Sequence, residues 1–318
     1  MKTRCPVCEG AEFEGYGGLY DDRYGYGGVF HLRGCASCGH KFIEESFTPD
    51  EIGRLYTEFY PRSSFKLEDY RPKKERKGFL AWLDGAGYEA FRWVPARVRV
   101  LDIGCGFGET LGYFKARGCE AWGVEADRNI IRVAEKYGLN VRPGVFDPTL
   151  FEKDFFDYAV MDQVIEHVSE PVHTLKGVAG VLKPGGRAVL SLPNPNGWGA
   201  KVFGKKWIHW HAPYHLQHFS VQSMRLAAAA AGLTVESFST VTNSNWLCLQ
   251  FIHLATRPAE GEPSGFWSPR GEKTLWVAGI RIFFFAAVSL TKIGHAVTRL
   301  FDALKRGDNF IFVLKKGA

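Results

Sequence analysis

The apolar run Val98-Arg99-Val100-Leu101-Asp102-Ile103 leads directly into Gly104-Cys105-Gly106-Phe107-Gly108, and this junction constrains the fold more than any other stretch of the chain. A strand that gives way to glycines at alternate positions must turn sharply. Glycine permits torsions and a close backbone approach that a β-carbon forbids. The residues after Gly108 suit a helix, so a ligand can lie against bare main chain at the helix N-terminus. A second apolar run, Ala121-Trp122-Gly123-Val124, ends in Glu125 and Ala126. A carboxylate there can accept both hydroxyls of a ribose. Strand, glycine turn, helix, strand and acid together open a parallel α/β sheet with a nucleotide-type cofactor at its edge.

The glycine spacing separates two cofactor classes. A dinucleotide fingerprint reads G-x-G-x-x-G, whereas this loop reads G-x-G-x-G with Glu109 in the third dinucleotide position. Asp102 stands two residues before the first glycine. The resulting D-x-G-x-G-x-G resembles motif I of the class I S-adenosylmethionine (SAM)-dependent methyltransferases. Three further segments follow in the order of that family. Residues 156–168, ending in Glu166-His167-Val168, resemble its fourth strand and strand exit in a bacterial Glu-His-Val branch. Residues 182–194, with Lys183-Pro184-Gly185-Gly186, resemble the turn into its fifth strand, and His215-Leu216-Gln217-His218-Phe219-Ser220 resembles the segment before its last sheet helix.

The resemblance implies a doubly wound, seven-stranded α/β sheet whose final strand enters antiparallel between its neighbours. It implies SAM as cofactor, with Asp102, Gly104, Cys105, Gly106 and Gly108 at the methionine end and Glu125 and Ala126 at the ribose. Phe146 is expected near the adenine, although Val145 stands where many relatives carry an acid. Asp162 and Gln163 are expected at the strand exit beside the methyl group.

Seven cysteines divide unevenly. Cys5, Cys8, Cys35 and Cys38 form two C-x-x-C pairs, which resemble a zinc ribbon: each pair sits on a knuckle and offers two thiolates to one structural Zn2+. Gly10 and Gly39 are expected to shape the knuckles. Disulfides or unused thiols are the alternative reading. Met1-Lys2-Thr3-Arg4 runs into Cys5 without an apolar segment, so a cytoplasmic protein with free thiols is expected. Cys105, Cys119 and Cys248 read as packing residues. The net charge of +6 comes without a basic run interleaved with aromatics, and nucleic acid is not an expected partner.

The chain divides into a ribbon-like module over 1–47, a helical connector over 48–97 and a methyltransferase domain over 98–318 with insertions near 194–219 and 243–307. The connector starts with a helix from Thr48 to Tyr60; after Pro61, a basic stretch leads into an amphipathic helix through Trp93. Strands are predicted near 98–103, 120–125, 139–142, 156–162, 187–192, 233–241 and 309–314. A helix closes at Lys183, and another, over 221–231, takes Ser220 as N-cap. Residues 205–211, rich in Trp and His, are expected over the substrate side of the sheet.

The apolar stretch 275–304 leaves ten uncharged residues between Arg281 and Lys292, too few for a spanning helix of about twenty. On a helical wheel Arg281, Lys292, His295, Arg299 and Arg306 share one side. Ile282, Phe283, Phe284, Val288, Leu290, Ile293, Val297, Leu300 and Phe301 lie opposite. Such a helix fits an anionic membrane interface, on the inner face of the membrane, or burial against the domain or a second subunit.

The function expected is methyl transfer from SAM, most simply O-methylation of a glycan or lipid-linked small molecule. Holding the acceptor in line supplies on the order of 7–11 kcal/mol of barrier reduction. An oxygen acceptor must lose a proton, and His167, His215, His211 and His218 are candidates for that task, with Asp162 nearby. A resemblance to metal-using quinone-pathway O-methyltransferases reaches only Glu166-His167. Gln163 stands where those enzymes have a further carboxylate, so no catalytic metal is assigned. Sugar C-methylation, NAD-dependent oxidoreduction and a non-catalytic SAM-binding scaffold remain alternatives, and oligomeric state is not legible.

Overall fold

The computed structural model describes residues 1–60, 67–291 and 293–317, with the side chains of 49, 69, 288–291 and 293 outside the description. Pro61 and Lys292, and the side chains of Val288, Leu290 and Ile293, therefore lie outside the described residues. The chain opens with β1 (Phe13–Tyr20), β2 (Val29–Cys35) and β3 (Lys41–Ile43), an antiparallel meander. Helix α1 (Pro49–Arg54) starts at Thr48, whose hydroxyl accepts from the Glu51 N–H while the Glu51 carboxylate accepts from the Thr48 N–H, a reciprocal capping box.

The amphipathic helix expected through Trp93 is broken. Helix α2 (Gly78–Leu83) stops because Gly85 takes a left-handed φ of 75°, where an added Cβ would collide with the Thr242 carbonyl. Two 3₁₀ turns, Ala86–Tyr88 and Ala90–Trp93, replace its second half.

The alternation of strand and helix then begins: β4 (Arg99–Ile103), α3 (Glu109–Ala116), β5 (Glu120–Glu125), α4 (Ile130–Tyr137), β6 (Asn140–Pro143), β7 (Phe156–Asp162), α5 (Pro171–Val181) and β8 (Leu182–Pro193). Helix α5 ends before Lys183, contrary to expectation. Leu182, fully buried, already pairs with Phe156, and Lys183 reaches back 2.5 Å to the Asp157 carboxylate. After α6 (Trp198–Phe203), β9 (Gln217–His218) and α7 (Val221–Ala230), Ser220 caps α7 as expected. β10 (Leu233–Thr240), helices α8 (Ser244–Ala255), α9 (Leu275–Thr291) and α10 (Ile293–Ala303), and β11 (Asn309–Lys316) complete the chain.

The main sheet has the order β10-β11-β8-β7-β4-β5-β6, with β11 antiparallel to both neighbours and the other pairings parallel. Central strands are buried on both faces, which explains their unbroken apolar runs. The second sheet, β1-β2-β3-β9, takes its last strand from the far side of the sequence: Lys41 pairs with His218 and Phe42 with Gln217. Phe42 is fully buried in the same apolar cluster as Leu190, Phe219 and Phe312, so the cysteine-bearing meander shares a core with the main sheet.

The 275–304 stretch forms two helices; His295 and Arg299 of the expected stripe face inward, while Arg281 and Arg306 are exposed. Arg299 is buried, 2.8 Å from Asp302 and bonded to the Trp82 and Thr242 carbonyls; His295 is buried 3.4 Å from Asp84. Burying the Arg299 guanidinium without those partners would cost several kcal/mol. Phe284 stacks on Phe251 and Phe301 on Trp198, while Leu275, Trp276, Ile282, Phe283 and Leu300 stay exposed. Among the described residues no helix is long and apolar enough to cross a membrane.

Candidate active site

The turn between β4 and α3 is built by its glycines and one carboxylate. Gly104 has φ of 77°, and an added Cβ would come within 2.5 Å of the Val164 side chain. Gly106 has open space around it, so its φ of 57° alone calls for glycine. Its N–H donates to Glu125 Oε2 at 2.9 Å, while Glu125 Oε1 accepts from the Asp127 N–H at 2.9 Å. Glu125, 4% exposed, thus couples the glycine turn to the exit of β5.

A cavity of about 380 Å³ lies over this turn, within the range of small-ligand sites. Asp102, Gly104, Cys105, Gly106, Asp162 and Gln163, all expected at the cofactor, line it. Glu125 sits behind the turn, Gly108 is the N-cap of α3, and Ala126 is exposed. Phe146 lies outside the lining; it packs against Phe151 and close to Gly177 of α5. The aromatic walls come instead from Tyr88, Phe91, Phe107 and Trp246. Tyr88 and Phe91 belong to the broken connector and Trp246 to α8, so no local pattern could have joined them to the glycine loop.

The cavity floor is acidic and buried. Burial pushes the Asp102 carboxyl up to about 7, against the Thr110 hydroxyl that donates to it and with the Glu125 charge adding to the rise. Burial likewise raises Asp162 to about 7, with Glu89 and Asp102 adding to the effect. A cationic ligand relieves both. Gln163 has φ of 57°, a strained non-glycine torsion, and its amide donates to Ser191 Oγ at 2.6 Å and Asn309 Oδ1 at 2.8 Å. Those bonds fix the strand exit against β8 and β11.

Just beyond Gln163, Glu166, His167 and His215 bring one ligating atom each within 4.8 Å of one another. Glu166 is fully buried, with no hydrogen-bond partner for either oxygen among the described residues, and burial raises it to about 8. His167 Nδ1 lies 2.9 Å from the Tyr214 carbonyl and 3.1 Å from the Tyr56 hydroxyl. His215 Nδ1 lies 2.8 Å from the His209 carbonyl, and the two imidazoles meet edge to face at 4.6 Å. His211, His215 and His218 are buried, and desolvation holds all three well below the usual histidine range. They are neutral and weakly basic. Sequence reasoning named His167 and His215 but passed over Glu166 as a base, since its isolation from water is a tertiary property.

The four N-terminal cysteines converge. Cys5 and Cys38 sulfurs lie 3.7 Å apart, Cys8 and Cys35 3.5 Å apart, and all four fall within 4.8 Å. Four ligands at the usual Zn–S length of about 2.3 Å stand about 3.8 Å from one another, so the set fits one tetrahedral metal ion. Each knuckle closes on the residue after its second cysteine: Glu9 has φ of 60° and Gly39 of 67°, with N–H bonds back to the Cys5 and Cys35 carbonyls. Gly10 therefore does not supply the turn; an added Cβ there would press on the Cys35 and Cys8 sulfurs at 3.3 and 3.4 Å.

Two outcomes follow from this geometry. Protein purified without chelator should carry zinc stoichiometric with the chain by elemental analysis, and Cys38→Ser should remove it and loosen residues 5–43, since roughly 10–16 kcal/mol of binding energy folds such a unit. Metal-free, fully ordered protein would exclude the site. Asp102, unfolded, ionises near 3.8, but folded it holds its proton to about 7. Its contribution to apo-protein stability is thus greatest at low pH and is lost as pH rises through 7. SAM affinity should run the other way, rising between pH 6 and 8 as the carboxylate forms, and Asp102→Asn should flatten that rise in calorimetric titrations. An unchanged profile would remove Asp102 from the cationic end of the cofactor.

Comparison with known proteins bears on this site. Residues 56–237 match the methyltransferase-domain family. A ubiquinone biosynthesis O-methyltransferase of Xanthomonas axonopodis pv. citri is 28% identical over 172 residues, covering 50% of this chain and 72% of that protein. The protein of the same name from Coxiella burnetii is 32% identical over 103 residues, covering 30% and 44%. Among solved structures, a chain from the Haloferax volcanii complex of the Trm112 methyltransferase activator with a methyltransferase has a TM-score of 0.48 at 18% identity, covering 77% of this chain and 100% of that one. A SAM-dependent methyltransferase from Mesorhizobium loti has 0.45 at 15%, covering 75% and 99%. The family match takes in the glycine turn, Glu125, Asp162 and the Glu166-His167-His215 group, and spans more than half of the sequence; the chain belongs to the methyltransferase-domain family and is a SAM-dependent methyltransferase.

Proposed function

We propose that the enzyme methylates a hydroxyl oxygen of a small molecule, a glycan or a lipid-linked intermediate. The observation that carries this reading is the buried Glu166 carboxyl, raised to about 8, on the turn directly after cavity residues Asp162 and Gln163. Hydroxyl methylation needs a group that accepts a proton near neutral pH, and a base tuned close to the working pH is the efficient choice. SAM supplies an electrophilic methyl carbon on its sulfonium. Asp102 and Asp162 hold the cationic end, the Tyr88, Phe91 and Trp246 walls exclude water, and Glu166 takes the acceptor's proton with His167 and His215 positioned around it. The name printed for the Xanthomonas and Coxiella relatives, an O-methyltransferase, supports oxygen as the acceptor atom. Family membership sets aside the NAD-dependent reading; sugar C-methylation would also need a base, and the relatives' printed name favours oxygen over carbon. The ribbon's metal is read as structural zinc.

Screening cell extracts with methyl-labelled SAM identifies the acceptor. With it in hand, kcat should rise with pH through about 8, and Glu166→Gln should abolish that limb and cost about 10²–10⁴-fold in kcat with SAM affinity unchanged. Label transferred to carbon or nitrogen would sink the reading.

The exposed Leu275, Trp276, Ile282 and Phe283 on α9, with exposed Arg281 among them, support a second element of the proposal: peripheral attachment to an anionic bilayer. Each cation near such a surface contributes about 1 kcal/mol. Ile282→Asp combined with Phe283→Asp should release the protein from anionic vesicles in flotation assays. If the unmodified protein ignores those vesicles at low salt, the face belongs to another contact.

A further inference from the structure

A second cavity, of about 520 Å³, lies at the seam where the cysteine-bearing sheet meets the main sheet, and it shares no lining residue with the cofactor cavity. Its walls come from both halves of the molecule. Tyr16, Gly39 and Lys41 belong to the N-terminal meander; Asn194, Asn196, Gln222, Phe238, Lys305 and Phe310 belong to the methyltransferase part.

Lys41 is the unusual member. It is 9% exposed, and among the described residues no carboxylate lies within ion-pair distance of its ammonium. The group makes one long hydrogen bond, 3.4 Å to the Pro195 carbonyl, and stands 4.5 Å from the Tyr16 ring centre and 5.8 Å from that of Trp210. An ammonium carries three donors. One weak acceptor and two ring faces leave a buried cation without a carboxylate in contact, a state that costs several kcal/mol unless a counter-charge arrives. Burial accordingly draws its proton affinity down; the more distant Glu14 carboxylate opposes this and Lys201 adds to it.

The rest of the lining says what counter-charge fits. No acid lines the cavity, and exposed Lys305 adds a second cation at its rim. Asn196 and Gln222 add amide donors. Two cations and amide donors without an acid suit a phosphate, which accepts from several donors at once. A volume of about 520 Å³ is far more than a bare ion needs and lies in the range for small-molecule sites. The surplus is walled by Tyr16, Val221, Phe238 and Phe310.

We propose that this seam binds a phosphorylated organic molecule, its phosphate on Lys41 and Lys305 and its aromatic or apolar body against Tyr16, Phe238 and Phe310. Such a ligand bridges the two halves of the protein. The site is separate from the SAM cavity, so its test requires no turnover and stands or falls apart from the methyl-transfer reading.

The zinc-loaded full chain is titrated calorimetrically with phenyl phosphate, inorganic phosphate and phenol at ionic strength matched with sodium chloride. Phenyl phosphate should bind about tenfold more tightly than either fragment, a difference of about 1.4 kcal/mol. Lys41→Met should weaken it by about tenfold or more while zinc content and SAM affinity hold. Lys305→Glu, an exposed rim substitution that leaves the core alone, should weaken it likewise and carries the test if Lys41→Met fails to fold. Three outcomes would overturn the proposal: no saturable binding of phenyl phosphate at millimolar concentration, binding untouched by Lys305→Glu, or phenol binding as tightly as phenyl phosphate. Inorganic phosphate binding as tightly as phenyl phosphate would overturn the part assigned to the aromatic walls.

Discussion

Both oxygens of the buried Glu125 carboxylate are held by backbone N–H groups, one from Gly106 and one from Asp127. This clamp joins the glycine turn after β4 to the end of β5, and the cavity exists because the turn is held open in that shape. A carboxylate accepting hydrogen bonds from two fixed amides is a charge-assisted arrangement, stronger than neutral pairing. It keeps the backbone at Gly104 and Gly106 bare toward the ligand while Val164 closes the space behind Gly104. The electrostatics of the cavity depend on the same closeness: the Glu125 charge adds to the rise that burial imposes on the Asp102 carboxyl.

Docking of the cysteine-bearing meander is a second dependence. β9, only two residues long, pairs with β3, and Phe42 fills a core that also holds Leu190 and Phe312. The segment 207–216 is thereby pinned between the two sheets, with the Leu216 N–H bonded to the Glu166 carbonyl. His215 reaches Glu166 and His167 because of this pinning. A metal ion that orders the N-terminal knuckles therefore bears on the position of Glu166, His167 and His215, through one continuous set of packed residues rather than through any contact of its own with the cofactor cavity.

Helices α8, α9 and α10 close the other side. Trp246 from α8 completes the cofactor cavity, and Arg299 of α10 ties α2 to the loop after β10 through the Trp82 and Thr242 carbonyls. The insertion is thus a structural part of the site as well as an exposed apolar face. Periodicity put its cations on one side and left open whether that side met a membrane, the domain or a second subunit. Periodicity identifies which residues share a side but carries no information about which side is turned inward, and a cation with Asp302 or Asp84 to meet can be the buried one.

The sequence by itself determined the main sheet, the family and the glycine turn, because each depends on neighbours in the chain. Apolar runs of strand length, glycines at alternate positions and an acid at a strand end are local patterns with local physical causes. The antiparallel last strand came from the family resemblance and is present as β11. The cysteine spacing likewise announced a four-sulfur cluster before any fold was known. Only the tertiary structure decided the rest. The breaking of the connector at Gly85 depends on the Thr242 carbonyl, the aromatic walls on residues more than a hundred positions apart, and the proton affinities of Asp102, Asp162 and Glu166 on how completely water is excluded around them. Burial is a property of the packed chain, and the chemistry of a carboxyl follows its burial, so residue type and spacing drew attention to Asp102 and Asp162 while packing set their proton affinities and that of Glu166.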